Sequence, residues 1–595
     1  MGLILLTCLN LPPKLRHKPA YSLVFGIIPG PNSPNTVMIS NILKHLVAQL
    51  LELKDGVHIP MFLYPDGKYI YLQLLPLIGD LVAVHKASGV ASHSANHFCP
   101  WCTAQLPDLQ LMRQGEMRNG LDILKSDKDW KDSKTLSQKN EFCKKTGVRW
   151  FELNNLPYRN PNMHLALGIL HNWLEGVLAE HFRFRWGFQD EMQEKKRGLK
   201  EETRKEKKRC LNNHEEDELG QESDGSQIED DFLLGQGMGG GLFTGDDIKR
   251  FQYLLEDLVL PTGIGKGPKT LGAAKNGRLK ASDWLTLFTL VIPLIILEIV
   301  FEGQEAISPK LNQALFLQNT GDLVQCTRIA CTKAVREGHA GRFANAYSRY
   351  TQSSSPIIIT HYTSHYISSF GDHYLGWLSL LVRGEIHGTL MRRVNGMQRL
   401  LAGHPEIEEI FNEERTRKSN GKYNMKEMEK GVYAALTEML QSEGVKLRFW
   451  NNFPHPLGSF ILSCFAWQVP FTKYDDKRVS TMPPNNVIFF KHCGNLKYAM
   501  VKGIFEFRGA SGKKEVVIHL DLIAPIFWQQ TYKPGELPYY AQLLGVVVGQ
   551  FGISNTGLMI RPSQVQGNEA YRHLPPECFG IFCNGIIVCP HTHHI

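Results

Sequence analysis

The segment from Trp284 to Phe301, WLTLFTLVIPLIILEIVF, limits the possible folds more than any other stretch of this chain. It is almost entirely apolar and nearly long enough to cross a bilayer, so it is either a membrane span or the core of a large globular protein. Pro293 and Glu298 lie inside it, and a lone carboxylate is costly in lipid. We therefore expect a buried core helix or helix pair, and no membrane partner.

The composition is that of a large globular protein. The chain has 595 residues, of which 43% are hydrophobic and 21% are charged, which is enough for several domains. Its net charge of +8 permits contact with nucleic acid but is too small to argue for it alone. The twelve cysteines mostly stand singly in apolar runs and the N-terminus lacks a secretory pattern, so we expect a reduced cytosolic or nuclear protein.

The hydrophobic pattern divides the chain into four segments. Residues 1–188 alternate short strands with helices, which indicates a mixed α/β fold. Residues 189–243 are densely charged and then glycine-rich, so we expect a largely disordered insert. The pattern predicts a helical region over 244–450 and a separate β-rich domain over 451–595.

Two local patterns in the first segment bear on function. The turn signal Pro-Asp-Gly at 65–67 predicts a β-hairpin centred on these residues. Helical spacing over 160–186 places His164 and His171 two turns apart, and therefore on one face of the predicted helix.

Asp80 ends the apolar run LLPLIGD and precedes a predicted helix. A carboxylate at the end of a strand is where a two-metal phosphoryl-transfer site places an oxygen ligand for Mg²⁺. The alternative is that Asp80 only caps the helix that follows. Its position in the sequence does not separate the two.

Cys99 and Cys102 have the two-residue gap of a zinc knuckle, which lets both thiolates face one tetrahedral ion. Buried structural thiols and a redox pair are the alternatives. A zinc site needs further ligands, and the nearby candidates are His93, His97, His164 and His171.

His171 and Glu175 lie one helical turn apart in LHNWLEGVL, so an imidazole and a carboxylate can meet there. The pair can orient a metal ligand or a general base. Equally, it can be the polar edge of a helix whose other residues lie in the core.

Several blocks of the chain together resemble the transposases of fungal CACTA (En/Spm)-type DNA transposons. The similar blocks are CLNLPPKLRHKP, GIIPGPNSP, LLPLIGDLVAVHKASGVASHSANHFCPWC, LGILHNWLEGVLAEHFRFRWGF, GRLKASDWLTLFTLVIPLIILEIV and STMPPNNVIFFKHCGNLKYAMVKGIFEFRG. They cover most of the chain except the charged insert, and their combined order is more specific than any single block.

The resemblance implies an RNase H-like mixed sheet with a helical insertion and a DDE-type acidic site that cuts and joins DNA with Mg²⁺. Asp80 matches the second acid of that site. Cys99, Cys102 and His171, with His97 as a further candidate, match a zinc-binding or fold-locking set. The implied partner is DNA at transposon ends, in the nucleus, with a homo-oligomer possible.

The chain departs from the family pattern in its acids. The family's first acid precedes the CLNLPP block, whereas no Asp or Glu occurs between Met1 and Leu51 here. We therefore expect an N-terminally truncated, incomplete RNase H-like sheet whose catalysis is lost. The third acid is open, and the candidates are Glu175, Asp283, Glu298 and Glu385. The alternative function is a non-enzymatic nuclear factor that binds DNA or protein on the same scaffold.

Overall fold

The computed structural model of the protein has a mixed α/β fold with a β-rich C-terminal region of antiparallel sheets. It describes residues 2–186, 243–352 and 425–590, apart from short gaps at 12–14, 16–17, 29–33, 75, 112–113, 266, 268–270, 272–278, 302–303, 305, 309–311, 333–335, 449–453, 455–456, 476, 528–530 and 554–556. The predicted disordered insert at 189–243, except for Phe243, and the candidate acid Glu385 lie outside the described residues.

The described strands and helices follow one another in this order: β1 (Gly2–Thr7), β2 (Ser22–Ile28), α1 (Thr36–Lys54), β3 (Val57–Met61), β4 (Tyr64–Ile70), β5 (Leu77–Gly79), α2 (Leu81–Lys86), α3 (Gly120–Asp132), α4 (Leu136–Thr146), β6 (Leu165–Leu167), α5 (Leu170–Leu178, continued by His181–Arg185, both π-helical), α6 (Gly245–Leu254), α7 (Ala281–Thr286, continued by a π-helical turn at Leu287–Val291), α8 (Ile292–Phe301), α9 (Asn312–Ala330) and α10 (His339–Gln352). After residue 424 come β7 (Met425–Glu427), α11 (Lys430–Ser442), β8 (Phe465–Gln468), β9 (Phe471–Tyr474), β10 (Lys477–Ser480), β11 (Val487–His492), β12 (Asn495–Arg508), β13 (Lys514–Leu522), β14 (Ala524–Pro525), α12 (Leu537–Leu544), β15 (Val547–Gln550), β16 (Leu558–Ile560), β17 (Val565–Asn568), β18 (Ala570–His573) and β19 (Gly585–Cys589).

The chain forms two compact units, each assembled from separate stretches of sequence. The first unit comprises Met1–Leu242, Gly272–Trp284 and Ile329–Glu413. The second unit comprises Phe243–Leu271, Leu285–Arg328 and Glu414–Ile595. This division cuts across the predicted helical region at 244–450, whose residues are shared between both units.

The first unit contains three two-stranded sheets among its described residues. β1 and β2 are antiparallel, β3 and β4 form an antiparallel hairpin, and β5 and β6 are parallel. α1 begins at Asn35, whose side chain accepts a hydrogen bond from the Met38 amide at 2.9 Å. Apolar residues spaced three and four apart give α1 one buried face, which packs with Phe151 and Leu153 in a common core.

The second unit holds the β-rich region that the sequence predicts. A seven-stranded sheet has the order β16-β13-β12-β11-β17, extended by β8 beside β12 and β7 beside β8. A four-stranded antiparallel sheet has the order β14-β15-β19-β18, and β9 pairs with β10 in a separate hairpin. Alternating apolar residues such as Ile504, Ile518 and Ile560 fill the interior of the larger sheet.

The apolar segment from Trp284 to Phe301 is helical. Ala281–Phe301 is long and apolar enough to cross a membrane by length and composition alone, and 94% of its most apolar window is buried in the protein. The predicted buried helix is therefore confirmed. The π-helical turn at Leu287–Val291 lies between α7 and α8.

Two local predictions are wrong. The hairpin turns at Phe62 and Leu63, because Pro65-Asp66-Gly67 forms an irregularity inside β4, where the register shifts and Gly67 takes a φ of +81°. The predicted helix at 160–186 is interrupted as well. Leu165–Leu167 form β6, because their backbone pairs with β5, so His164 precedes a strand and does not share a helix with His171.

Candidate functional site

Asp80 lies at the carboxyl end of the parallel pair β5 and β6. Leu77, Ile78 and Gly79 pair in register with Leu165, Ala166 and Leu167, and the Gly168 amide donates to the Gly79 carbonyl at 2.6 Å. The carboxyl ends of parallel strands meet at one edge of a sheet, so Asp80 and the start of α5 share that edge.

The side chain of Asp80 caps α2. Its Oδ1 atom accepts a hydrogen bond from the Ala83 amide at 2.6 Å, and its backbone is extended, as an N-cap requires. The capping alternative from the sequence is thus confirmed. A cap uses one carboxylate oxygen and leaves the other to solvent or a ligand.

Glu175 has both carboxylate oxygens engaged. Oε2 lies 3.0 Å from His171 Nδ1, and Oε1 accepts a hydrogen bond from the Ala281 amide at 3.1 Å. Asp283 Oδ2 accepts a hydrogen bond from the neighbouring Lys280 amide at 3.0 Å. The structure therefore brings two of the candidate acids, Glu175 and Asp283, to the N-terminus of α7, where amide groups favour negative charge.

The other two candidate acids are not at this edge. Glu298 belongs to the second unit, where its Oε2 atom accepts a hydrogen bond from Arg572 Nη2 at 2.5 Å in a buried ion pair. That pairing gives Glu298 a structural partner. Glu385 lies outside the described residues.

Cys99 and Cys102 are fully buried, form no disulfide within the described residues and lie beside a cation. The Cys102 amide donates to Cys99 Sγ at 3.4 Å. Burial, reinforced by the neighbouring Cys102, raises the pKa of the Cys99 thiol well above its usual value. The Arg118 side chain donates from Nε to the Cys102 carbonyl at 3.0 Å and from Nη1 to the Thr146 carbonyl at 3.0 Å.

Burial lowers the pKa of four histidines in the first unit. Burial lowers the pKa of His85 to about 4, and its Nδ1 atom lies 2.5 Å from the Ala91 carbonyl. Burial also lowers the pKa of His93, and burial together with the Arg118 charge lowers that of His97. His164 has a pKa lowered by burial and by Arg159. His171, in contrast, has a largely exposed side chain.

No metal site is assembled among the residues that the structure describes. Across residues 2–186, 243–352 and 425–590, no group of three or more His, Cys, Asp or Glu side chains is placed to hold one. A structural zinc site needs four ligands with deprotonated thiolates, whereas burial raises the pKa of the Cys99 thiol and both cysteines lie beside the Arg118 guanidinium. A two-metal site needs bridging carboxylates, whereas Asp80 and Glu175 act as structural acceptors. Metal binding at Asp80, Glu175, Cys99, Cys102, His97 and His171 stays a prediction.

The structure also places five basic residues, which the sequence pattern did not single out, on the strands β9, β10, β11 and β12. Lys473 lies directly opposite Arg478 in the β9–β10 hairpin, and the Lys477 Nζ atom donates to the Val565 carbonyl at 3.3 Å. Val565 pairs with Phe490 of β11, the residue before Lys491, and Lys497 of β12 lies opposite Phe490. Lys491 and Lys497 therefore point to opposite faces of their sheet. We call these five residues the basic cluster. The mixture of basic and aromatic residues in FTKYDDKRVS was the signal that could have found three of the five.

Comparison of the sequence with protein-family models and with curated proteins finds no match.

Proposed function

We propose that this chain is a transposase-derived nuclear protein that binds DNA on an incomplete RNase H-like scaffold and has lost two-metal catalysis. The observation that carries the proposal is the parallel pair β5 and β6, with Asp80 at its carboxyl edge and α5 starting from the same edge. The proposal rests on this geometry together with the resemblance to fungal CACTA transposases.

The strand arrangement supports an incomplete sheet. A five-stranded mixed sheet that lacks its first strand leaves an antiparallel pair and a parallel pair, and β1–β2 and β5–β6 have these directions. In the part of the chain that the structure describes, β5 pairs only with β6. Leu77 and Ile78 of β5 are half-buried, whereas β6 is fully buried, and among the described residues no strand pairs with the other edge of β5.

The hydrogen bonds of the acids support loss of catalysis. A DDE-type site needs carboxylates that are free to bridge two Mg²⁺ ions. One oxygen of Asp80 caps α2, and both oxygens of Glu175 are engaged, one beside His171 on the same helix and the other by the Ala281 amide at the start of α7. These contacts compete with a bridging role for Glu175 and leave one oxygen of Asp80 open to a ligand.

The basic cluster supports contact with DNA phosphates. Lys473, Arg478 and Lys491 are exposed, and none of the five residues pairs with a carboxylate within the described ranges. The Arg478 guanidinium lies 4.4 Å from the Phe471 ring centroid, which holds it at the surface. Two aspartates in the β9–β10 turn reduce the local charge without cancelling it. Unpaired cations on a rigid sheet are suited to the phosphate backbone.

Titration of a labelled DNA duplex at several salt concentrations tests binding. We expect Lys473→Gln with Arg478→Gln to weaken binding and to reduce the slope of log K against log salt by about 2. The matched control is Lys430→Gln with Lys446→Gln, which removes the same charge from exposed positions on and after α11. Absence of DNA binding by the unmodified protein, or equal effects of the two double variants, would overturn this part of the proposal.

A plasmid nicking and strand-transfer assay with Mg²⁺ or Mn²⁺ tests the loss of catalysis. We expect no metal-dependent cleavage above that of a heat-inactivated sample. Metal-dependent cleavage that Asp80→Asn abolishes would contradict the proposed loss and assign Asp80 a catalytic role. Cleavage that survives Asp80→Asn would remove Asp80 from any mechanism.

A further inference from the structure

The β3–β4 hairpin of the first unit exposes large apolar side chains at its tip and on both of its faces. Phe62 is 97% exposed and Leu63 is 77% exposed, and both form the turn. The strands and their continuation add further exposed side chains, namely Tyr64, Tyr69, Tyr71 and Leu72. Single exposed apolar residues are common, but several on one short hairpin mark an interaction site.

The composition of the turn is not a consequence of its geometry. Two-residue hairpin turns favour Asn, Asp and Gly, because these residues accept the backbone angles that the turn requires. This hairpin instead uses Pro-Asp-Gly inside β4 and places Phe62 and Leu63 at the tip. The apolar tip therefore needs an explanation other than folding.

The aromatic rings of the hairpin are held in place before any partner binds. The Tyr69 and His58 rings lie edge to face, with centroids 5.1 Å apart. The Lys68 Nζ atom lies 3.4 Å from the Tyr64 ring centroid, and the Tyr71 ring leaves no room for a side chain at Gly56. Side chains that are already ordered lose little entropy when they are covered.

The edges of the hairpin are unsuited to pairing with another strand. Pro60 in β3 and Pro65 in β4 lack an amide hydrogen, and the irregularity at Gly67 interrupts the outer ladder of β4. A partner is therefore expected to cover the faces and the tip and not to extend the sheet.

The few charged residues of the hairpin and its exposed apolar area indicate the kind of partner that it binds. Between residues 57 and 72 the only Asp, Glu, Lys or Arg residues are Asp66 and Lys68, so these side chains give the hairpin no excess charge for a phosphate backbone. With about 150 to 250 Å² for each large side chain, the exposed set amounts to roughly 800 Å², divided between the tip and the two faces. A contact that covers the tip and one face therefore buries less than the standard value of about 800 Å² on each partner, which fits an association that dissociates on dilution.

We propose that the β3–β4 hairpin is a self-association surface, through which two copies of this chain pack hairpin against hairpin around a two-fold axis. A second copy brings an equal apolar area that also needs covering. Asp66 of one copy and Lys68 of the other supply opposite charges for the same contact repeated twice. This inference does not depend on the proposed DNA binding.

Sedimentation velocity of the full chain at low and high micromolar concentration tests the proposal. We expect a species of twice the 67.4 kDa chain mass that dissociates on dilution. The double variant Phe62→Ser with Leu63→Ser is expected to weaken self-association about tenfold or more. The matched control is Leu121→Ser with Tyr253→Ser, two residues that are 74% and 68% exposed elsewhere. A monomer at the highest concentration, or equal association of both double variants, would overturn the proposal.

Two further measurements keep the test decisive. Hydrogen exchange of residues 57–72 in the unmodified protein should slow as concentration rises, and unchanged exchange would overturn the proposal even if the hairpin variant fails to fold. Binding of a monomeric protein to phosphatidylcholine and phosphatidylserine vesicles, lost in the hairpin variant, would assign the surface to lipid and also overturn it.

Discussion

The two units bury charged side chains in different ways. In the second unit, Arg572 is 1% exposed, and it donates to the Glu298 carboxylate at 2.5 Å and to the Leu294 carbonyl at 3.3 Å. In the first unit, Asp127 and Arg159 are also buried, but no ion pair joins them within the described residues. Asp127 accepts a hydrogen bond from the Phe151 amide at 2.8 Å, while Arg159 donates to the Asn154 side chain at 2.5 Å.

The difference shows that a buried acid and a buried base that do not form an ion pair both have shifted pKa values. Burial raises the pKa of Asp127 to about 7, because the Phe151 amide, Lys131 and Arg159 only partly offset the cost of desolvation. Burial lowers the pKa of Arg159 to about 10, and its Nη2 atom has no hydrogen-bond partner in the described structure. Perturbed acids often mark catalytic sites, but the contacts of Asp127 are structural.

Removing one partner of the direct pair should have the largest effect. Glu298→Gln leaves the buried Arg572 guanidinium without a carboxylate, so we expect the free energy of unfolding around the pair to fall by about 3 to 5 kcal/mol. Hydrogen exchange of peptides from α8 and β18 measures this loss. The control Glu256→Gln removes an exposed carboxylate and should change stability by less than about 0.5 kcal/mol. Equal effects would mean that the pair contributes nothing specific.

The unpaired acid of the first unit should make stability depend on pH. The pKa of Asp127 is higher in the folded protein than in the unfolded chain. The contribution of Asp127 to the free energy of unfolding is therefore complete below about pH 4 and is lost as pH rises through about 7. Asp127→Asn removes this dependence. One pKa unit corresponds to about 1.4 kcal/mol. Between pH 4 and pH 8 we therefore expect the free energy of unfolding of Asp127→Asn to rise by at least about 1.4 kcal/mol relative to that of the unmodified protein. Urea unfolding at both pH values measures it, and parallel pH curves would contradict the shift.

The same contrast explains what the sequence could predict. β5, Asp80 and α2 follow one another within ten residues, so an apolar run and a capping residue were enough to find them. β6 was missed because its three residues become a strand only by pairing with β5, far away in the chain. The Glu298 and Arg572 pair joins positions 274 residues apart, and no local pattern reports such a contact.

The hairpin illustrates a second limit. Pro-Asp-Gly is a turn signal and predicts a turn at these residues. The register of β3 and β4 instead places them inside a strand. Register depends on which side chains face each other across the hairpin, a property of both strands together. The exposed tip at Phe62 and Leu63 could therefore not be predicted from the turn signal.

The ion pairs of Arg561 in the second unit are half-exposed and can be compared with the buried pair of Glu298 and Arg572. The Arg561 guanidinium donates to Glu443 at 2.7 and 3.1 Å and to Glu515 at 2.6 Å, and these hydrogen bonds raise its pKa. Lysine cannot make the forked contact, so Arg561→Lys should lower the free energy of unfolding by about 1 kcal/mol. Urea unfolding measures the change against Arg508→Lys, an exposed arginine at the end of β12. A loss as large as that of Glu298→Gln would show that depth of burial does not decide the cost.

The half-exposed acid of the first unit should have the smallest effect, and it links stability to the proposed function. Asp80→Ala removes the hydrogen bond to the Ala83 amide and should destabilise α2 by about 0.5 to 1 kcal/mol, measured by hydrogen exchange of that helix. Asp80→Asn should cost almost nothing, because asparagine caps helices as well as aspartate does. If the two variants are equally destabilised, the cap is not what Asp80 contributes. If only Asp80→Ala is destabilised, any loss of metal-dependent DNA cleavage in Asp80→Asn reports chemistry and not folding, which makes the asparagine variant the decisive control for the proposed loss of catalysis.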